Sequence, residues 1–145
     1  MRIDRFNIRV YGLLVHAGQV LVSDEVHAGQ AMTKFPGGGV EYGEGPVEAL
    51  VREIQEEMGL KAFGLEHFYT TEHFQRSAFR PNEQIISLYY RFQVLHPGHI
   101  RNGDRSAEGG HQVFRWLTIP GAQPDAVTFP IDRIVLERLV AAFRP

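Results

Sequence analysis

An α/β fold, a mixed β-sheet sandwiched between α-helices, is what the order of hydrophobic patterns along this chain predicts. Two stretches repeat apolar residues at spacings of three and four, one at Val47, Leu50, Val51, Ile54 and Met58, the other at Ile131, Ile134, Val135, Leu139 and Val140. That period belongs to helices. Around them lie runs rich in β-branched and aromatic residues, bounded by glycine and proline, which is the pattern of strands. The 145 residues are 43% hydrophobic, enough for one buried core and too few for two, so a single domain over 1–145 is expected.

Taken in order, residues 6–15 and 20–22 are apolar, β-branched runs around His16-Ala17-Gly18-Gln19, which reads as a hairpin turn with glycine at its tight position. Lys34-Phe35 is a short extended lead into Pro36-Gly37-Gly38-Gly39, a loop in which bare backbone can approach a ligand. The first helix should run from Pro46 to Met58. Pro46 suits the first turn, where its missing N–H is no loss, and Gly59 suits the left-handed position just past the end. Strands follow at 63–71 and 84–95, the second packed through Ile85, Ile86, Leu88, Tyr89 and Tyr90, and His96-Pro97-Gly98-His99 stops it. A loop rich in glycine and charge at 101–111, a strand at 114–119 anchored by the only tryptophan, Trp116, and an amphipathic helix at 131–143 complete the order.

The first helix carries an unusual charge pattern. At roughly 100° per residue, Glu53, Glu56 and Glu57 fall beside the apolar stripe, with Glu53 and Glu57 one turn apart, so three carboxylates are expected to share one exposed edge. Like charges at such spacings destabilise a helix by a few tenths of a kcal/mol per pair, roughly, and Arg52 is the helix's only cation. A divalent cation would relieve the crowding. Mg²⁺, with Mn²⁺ as a substitute, takes carboxylate and carbonyl oxygens and keeps several waters. When no metal is bound, crowded carboxylates also raise one another's proton affinity, which suits one of them to accept a proton near neutral pH.

Over residues 38–60, Gly38, Glu44, Arg52-Glu53, Ile54, Glu56-Glu57, Gly59 and Leu60 stand at the spacings of the Nudix box. Seven fixed positions match by chance at odds on the order of one in 10⁸, so the chain resembles the Nudix (MutT-like) hydrolases. The resemblance implies the α/β/α Nudix fold and Mg²⁺-dependent hydrolysis of the pyrophosphate in a nucleoside diphosphate linked to a group X. It also implies a metal shell of Glu53, Glu56, Glu57 and the carbonyl of Gly37, the residue before the first box glycine. A Glu44–Arg52 salt bridge would shape the loop, both residues supporting rather than reacting. The general base is then Glu53 or Glu57, with Glu108 outside the box as the alternative.

X stays open, because downstream signatures of diadenosine polyphosphate, ADP-ribose and NADH hydrolases are absent. A nucleoside triphosphate is the first expectation and a nucleotide sugar or ADP-ribose the second. A non-catalytic nucleotide sensor is the third, disfavoured by the intact box glutamates. Pocket candidates lie at 75–83, where Arg76 and Arg80 can grip phosphates and Phe79 can stack on a base. Glu108 and His111 lie in the loop before Trp116, where the family often places a polar residue near the reacting water, and either residue fits that description.

A net charge of -2 and a pI near 6.4 leave no basic footprint for duplex nucleic acid. Zero cysteines exclude disulfides and thiolate zinc sites, and the seven histidines fall at spacings that suit no zinc pair. With no signal-peptide pattern or membrane-length apolar run, a cytoplasmic protein acting on a nucleotide-type small molecule is expected, and exposed strand edges are compatible with a homodimer.

Overall fold

The computed structural model describes residues 2–144. Its strands are β1 (Arg5–His16), β2 (Gln19–His27), β3 (Gln30–Lys34), β4 (Gly37–Gly39), β5 (Phe63–Thr70), β6 (Glu83–Gln93), β7 (Asp104–Arg105) and β8 (Val113–Thr118). The helices are α1 (Pro46–Met58) and α2 (Pro130–Ala142). The strands run in the order β5-β6-β1-β2-β8-β7, with β3 against β2 and β4 against β1. The sheet is mixed because β1 lies parallel to β6, from Arg5↔Glu83 to Leu14↔Phe92, while its other pairings are antiparallel.

Side chains alternate across a strand, so β1 feeds two cores. Leu13 joins Val20, Val22, Phe35 and Tyr89 beneath α2, which contributes Ile131, Val135, Leu136 and Leu139. Val10 and Leu14 join Leu21, Phe92 and Phe114 beneath α1, which contributes Ala49, Leu50 and Ile54. The sheet is thereby held between the two helices, as expected.

The turn at Ala17-Gly18 has both residues at positive φ, 51° and 75°, the twist that a two-residue hairpin needs. The α1 ends also match their sequence signals. The Gly45 N–H donates to the Glu48 carboxylate at 2.8 Å, and Gly59, at φ 67°, closes the last turn onto the Gln55 carbonyl.

Several expectations are corrected. The strand expected at 20–22 continues to His27 and returns as β3, which carries no apolar run because Met32 and Lys34 are its only buried positions. The three glycines are a strand rather than a loop, since Gly37, Gly38 and Gly39 pair with Tyr11, Val10 and Arg9. The loop at 101–111 holds the short β7. On α1, Val47 lies at the surface while Glu57 is buried, so the three carboxylates do not all share an exposed edge.

Candidate active site

Glycine at 37 and 38 is required by close approach. A Cβ on Gly37 would stand 2.1 Å from the Val10 carbonyl oxygen, and one on Gly38 would stand 2.6 Å from Glu53 Oε1. The bare backbone of β4 therefore packs on β1 with one face and receives the Glu53 carboxylate on the other.

Arg52 ties this strand and the following loop to α1. Its Nε and Nη2 donate to the Glu44 carboxylate at 3.0 and 2.6 Å, and Nη2 also reaches the Gly39 carbonyl at 2.9 Å. Its Nη1 donates to Glu53 Oε1 at 3.0 Å and to Glu56 Oε2 at 3.2 Å. Donation from Arg52, with the Glu41 backbone N–H adding to it, holds the Glu44 carboxyl below its usual range. Glu53 is pushed the other way, because burial outweighs the Arg52 hydrogen bond.

Glu57 lies on the inner flank of the helix, 9% exposed. Its Oε1 accepts a hydrogen bond from Gln112 Nε2 at 2.6 Å, while Oε2 is buried with no partner. Burial first, then Glu53 and Glu25, lift its carboxyl to about 7, against the opposing pull of Lys34 and Gln112. With no cation bound, a carboxylate so placed can take a proton near neutral pH.

Among the described residues, no three His, Cys, Asp or Glu side chains converge as a ready ligand cluster. Arg52 occupies the space between Glu53 and Glu56, and Glu57 turns toward Gln112. The donor set nonetheless fits a hard divalent cation. It supplies carboxylates one turn apart, one of them with a buried, unpartnered oxygen that a cation would satisfy.

A cavity of about 520 Å³ is connected to these acids through Lys34 and Arg9, charged neighbours of Glu57 and Glu53, although none of Glu53, Glu56 and Glu57 lines it. Arg9, Tyr11, Lys34, Phe79, Tyr89 and Asp132 line it. Lys34 Nζ is 3.5 Å from Glu25 Oε2 and 5.5 Å from the Tyr11 ring centroid. Burial works against its charge, but Tyr11, Glu25 and Glu57 more than offset it, so Lys34 stays protonated. Phe79 stands edge-on to His27 and Phe129, with centroids 4.5 and 6.1 Å apart. A second cavity of about 850 Å³, bounded by Leu60, Phe63 and His96, lies beyond the C-terminal end of α1 and touches none of Glu53, Glu56 and Glu57.

Asp132, in the first turn of α2, is 2% exposed and accepts the Tyr89 hydroxyl at 2.5 Å. Burial raises its carboxyl from the usual 3.8 to about 6, against the Tyr89 hydrogen bond and Lys34. Because the unfolded chain releases this proton first, the stability Asp132 contributes is full below about pH 4 and lost as pH rises through 6, about 3 kcal/mol in all. Denaturant unfolding from pH 4 to 7 should therefore show Asp132→Asn gaining on the wild type as pH rises. Parallel curves would exclude this titration.

Of the residues singled out in the sequence, Glu44, Arg52, Glu53 and Glu56 meet in one network and Glu57 flanks it. Arg76, Phe79 and Arg80 line the cavity, although the Arg76 guanidinium is engaged by the Pro81 carbonyl. Glu108 and His111 are exposed, and the contact with Glu57 is made instead by their neighbour Gln112. Gln112, Lys34, Arg9 and Asp132 carry no sequence motif. They come together only through strand pairing and helix packing.

The NUDIX domain family matches residues 5–139. An RNA pyrophosphohydrolase from Brucella anthropi is 30% identical over 151 residues, covering 90% of this chain and 82% of that protein. A MutT structure from work on Aliivibrio salmonicida and Vibrio cholerae superposes with a TM-score of 0.69 at 19% identity, covering 96% of this chain and 100% of that one. The E. coli ORF135 protein superposes with a TM-score of 0.69 at 22% identity, covering 97% and 94%. The superpositions show the shared fold, and no described helix is long and apolar enough to cross a membrane. With the box at 38–60, the matched 5–139 and a relative at 30% identity in agreement, the chain belongs to the Nudix family of phosphoanhydride hydrolases.

Proposed function

We propose that this protein is a Mg²⁺-dependent pyrophosphohydrolase that converts a nucleoside triphosphate to the monophosphate and pyrophosphate. One observation carries the reading: Lys34 and Arg9 line the 520 Å³ cavity and are also charged neighbours of Glu57 and Glu53, so the cations that would meet a ligand's phosphates stand between the cavity and the acids, which do not themselves line it. Phe79, Tyr11 and Phe129 offer apolar faces to a nucleoside, and the two cations meet phosphate charge. A divalent cation held by Glu53, Glu56, Glu57 and the Gly37 carbonyl would neutralise phosphate charge and acidify a water. Glu57 takes the proton as the water oxygen bonds to phosphorus and the bridging P–O bond breaks. Arg52 keeps Glu53 and the β4 backbone in place, and Glu44 anchors Arg52.

A second substrate, a 5′-triphosphate RNA end, is suggested by the name of the Brucella anthropi relative. It is favoured by Arg5, a further cation lining the cavity, whose side chain is 58% exposed and stands 3.9 Å from Glu83 Oε2. Purified protein with Mg²⁺ or Mn²⁺ should be offered nucleoside triphosphates, nucleotide sugars, ADP-ribose, dinucleoside polyphosphates and 5′-triphosphate RNA, with products resolved by chromatography. Chelator-sensitive release of a monophosphate from one class supports the hydrolase and identifies X. Metal-dependent thermal stabilisation by a nucleotide without turnover would make the protein a binding module.

A further inference from the structure

The segment between β7 and β8 meets α1 at one residue, and it does so twice. The Ala107 N–H donates to the Glu57 backbone carbonyl at 2.6 Å, and Gln112 Nε2 donates to the Glu57 carboxylate at 2.6 Å. The segment is closed on itself by the Ser106 N–H on the Gln112 carbonyl at 3.2 Å and the Gly109 N–H on the Ser106 carbonyl at 3.1 Å. It rests on the helix end, where a Cβ on Gly59 would stand 3.7 Å from the Ala107 Cβ. Residues 107–111 are otherwise exposed. Glu57 is thus clamped through main chain and side chain by one short, largely solvated turn.

The side-chain half of the clamp has a chemical consequence. Rotation about the last bond of a glutamate is broad and roughly two-fold, so an unrestrained carboxylate does not assign different tasks to its two oxygens. With Gln112 on Oε1, the oxygen left without a partner is Oε2. The other charged groups acting on this carboxylate are Lys34, Glu53 and Glu25. An acidic residue in place of Gln112 would add a third like charge, whereas the amide donates.

We propose that Gln112 is a positioning residue: its amide fixes the Glu57 carboxylate so that Oε2 is the oxygen presented to a divalent cation and to the attacking water. The identity of what Oε2 meets rests on the hydrolase reading, but the clamp itself does not. Partners that orient a metal-binding carboxylate typically contribute about 10- to 100-fold to metal affinity or activity.

Mn²⁺ binding to the substrate-free protein, followed by the electron paramagnetic resonance signal of free Mn²⁺, tests this directly. Gln112→Met keeps length and volume but loses the donor, and Gln112→Ala loses both. Each should bind Mn²⁺ about 10- to 100-fold more weakly than wild type, with metal-free melting temperatures within a few degrees of it. In turnover, kcat at fixed Mg²⁺ should fall while KM for the nucleotide stays within about twofold. Gln112→Met binding Mn²⁺ as tightly as wild type overturns the proposal, as does a wild type that binds no Mn²⁺. A large drop in melting temperature in both variants would make Gln112 a structural strap and overturn it too. Weakened Mn²⁺ binding in a protein that hydrolyses no substrate would leave Gln112 in its role and remove the hydrolase reading instead.

Discussion

Glu57→Gln should silence turnover and at the same time stabilise the metal-free protein. The carboxyl is held at about 7 by burial, so above that pH the folded state must carry a buried charge that the unfolded chain carries in water. Glutamine has the shape of the protonated form, and its Oε1 can still accept from Gln112. The native carboxyl binds its proton more tightly than the unfolded one, so the stability that proton supplies is complete below about pH 4.5 and gone above 7. The variant should therefore unfold at higher denaturant than wild type at pH 8 without metal, by up to about 3 kcal/mol, a figure that already includes the attraction of the charged form to Lys34. The gap should close near pH 4.5, and Mg²⁺ should stabilise only the wild type. Loss of the proposed proton acceptor and metal carboxylate should lower kcat by roughly 10³-fold or more. A variant turning over within tenfold of wild type would remove Glu57 from the mechanism.

Gly37→Ala should have the largest effect on stability. Gly37 sits at φ 148°, and the added methyl would meet a backbone oxygen at 2.1 Å, which no rotamer change can relieve. Strain and displacement of β4 from β1 should cost about 3 kcal/mol or more. Two other glycines give the contrast. Gly43, at φ 88°, has nothing within 4 Å, so alanine there meets backbone strain alone, about 1 kcal/mol. A methyl on Gly38 meets the end of the Glu53 side chain, which can swing away, so that variant should lose activity before stability. Thermal melts of the three decide it. Gly37→Ala melting close to wild type would mean that β4 can shift on β1 without loss.

What could be read from the sequence divides by range. The limits of α1 were legible because their causes are local, proline at its start and glycine just past its end. The hairpin at 17–18 was legible for the same reason. The acids of the box were legible as a group, but the burial of Glu57 was not, since its depth depends on Lys34 from β3 and Gln112 from before β8. Strand β3 was missed because Gln30-Ala31-Met32-Thr33-Lys34 lacks an apolar alternation. Its place is held by pairing with β2 and by Arg115, which binds Asp24 at 2.6 Å while Asp24 accepts the Thr33 hydroxyl at 2.6 Å. Glu108 and His111 were placed in the right loop, yet the inward-facing residue was the next one along. A loop's composition marks it as a loop without saying which of its side chains turns toward the protein.

The parallel pairing of β1 with β6 also dictates the order of assembly. Strand β1 finds β2 at once through a two-residue turn, but its longest partner begins at Glu83 and ends at Gln93. A nascent chain must therefore grow past residue 93 before the central strand of the sheet can be covered on that side. Until then Val10, Leu13 and Leu14 belong to an open edge, a surface on which neighbouring chains can pair. Closure over so long a span makes folding slow relative to a helical protein of this size, and shielding of the first half of the chain during synthesis should matter more than shielding of the second.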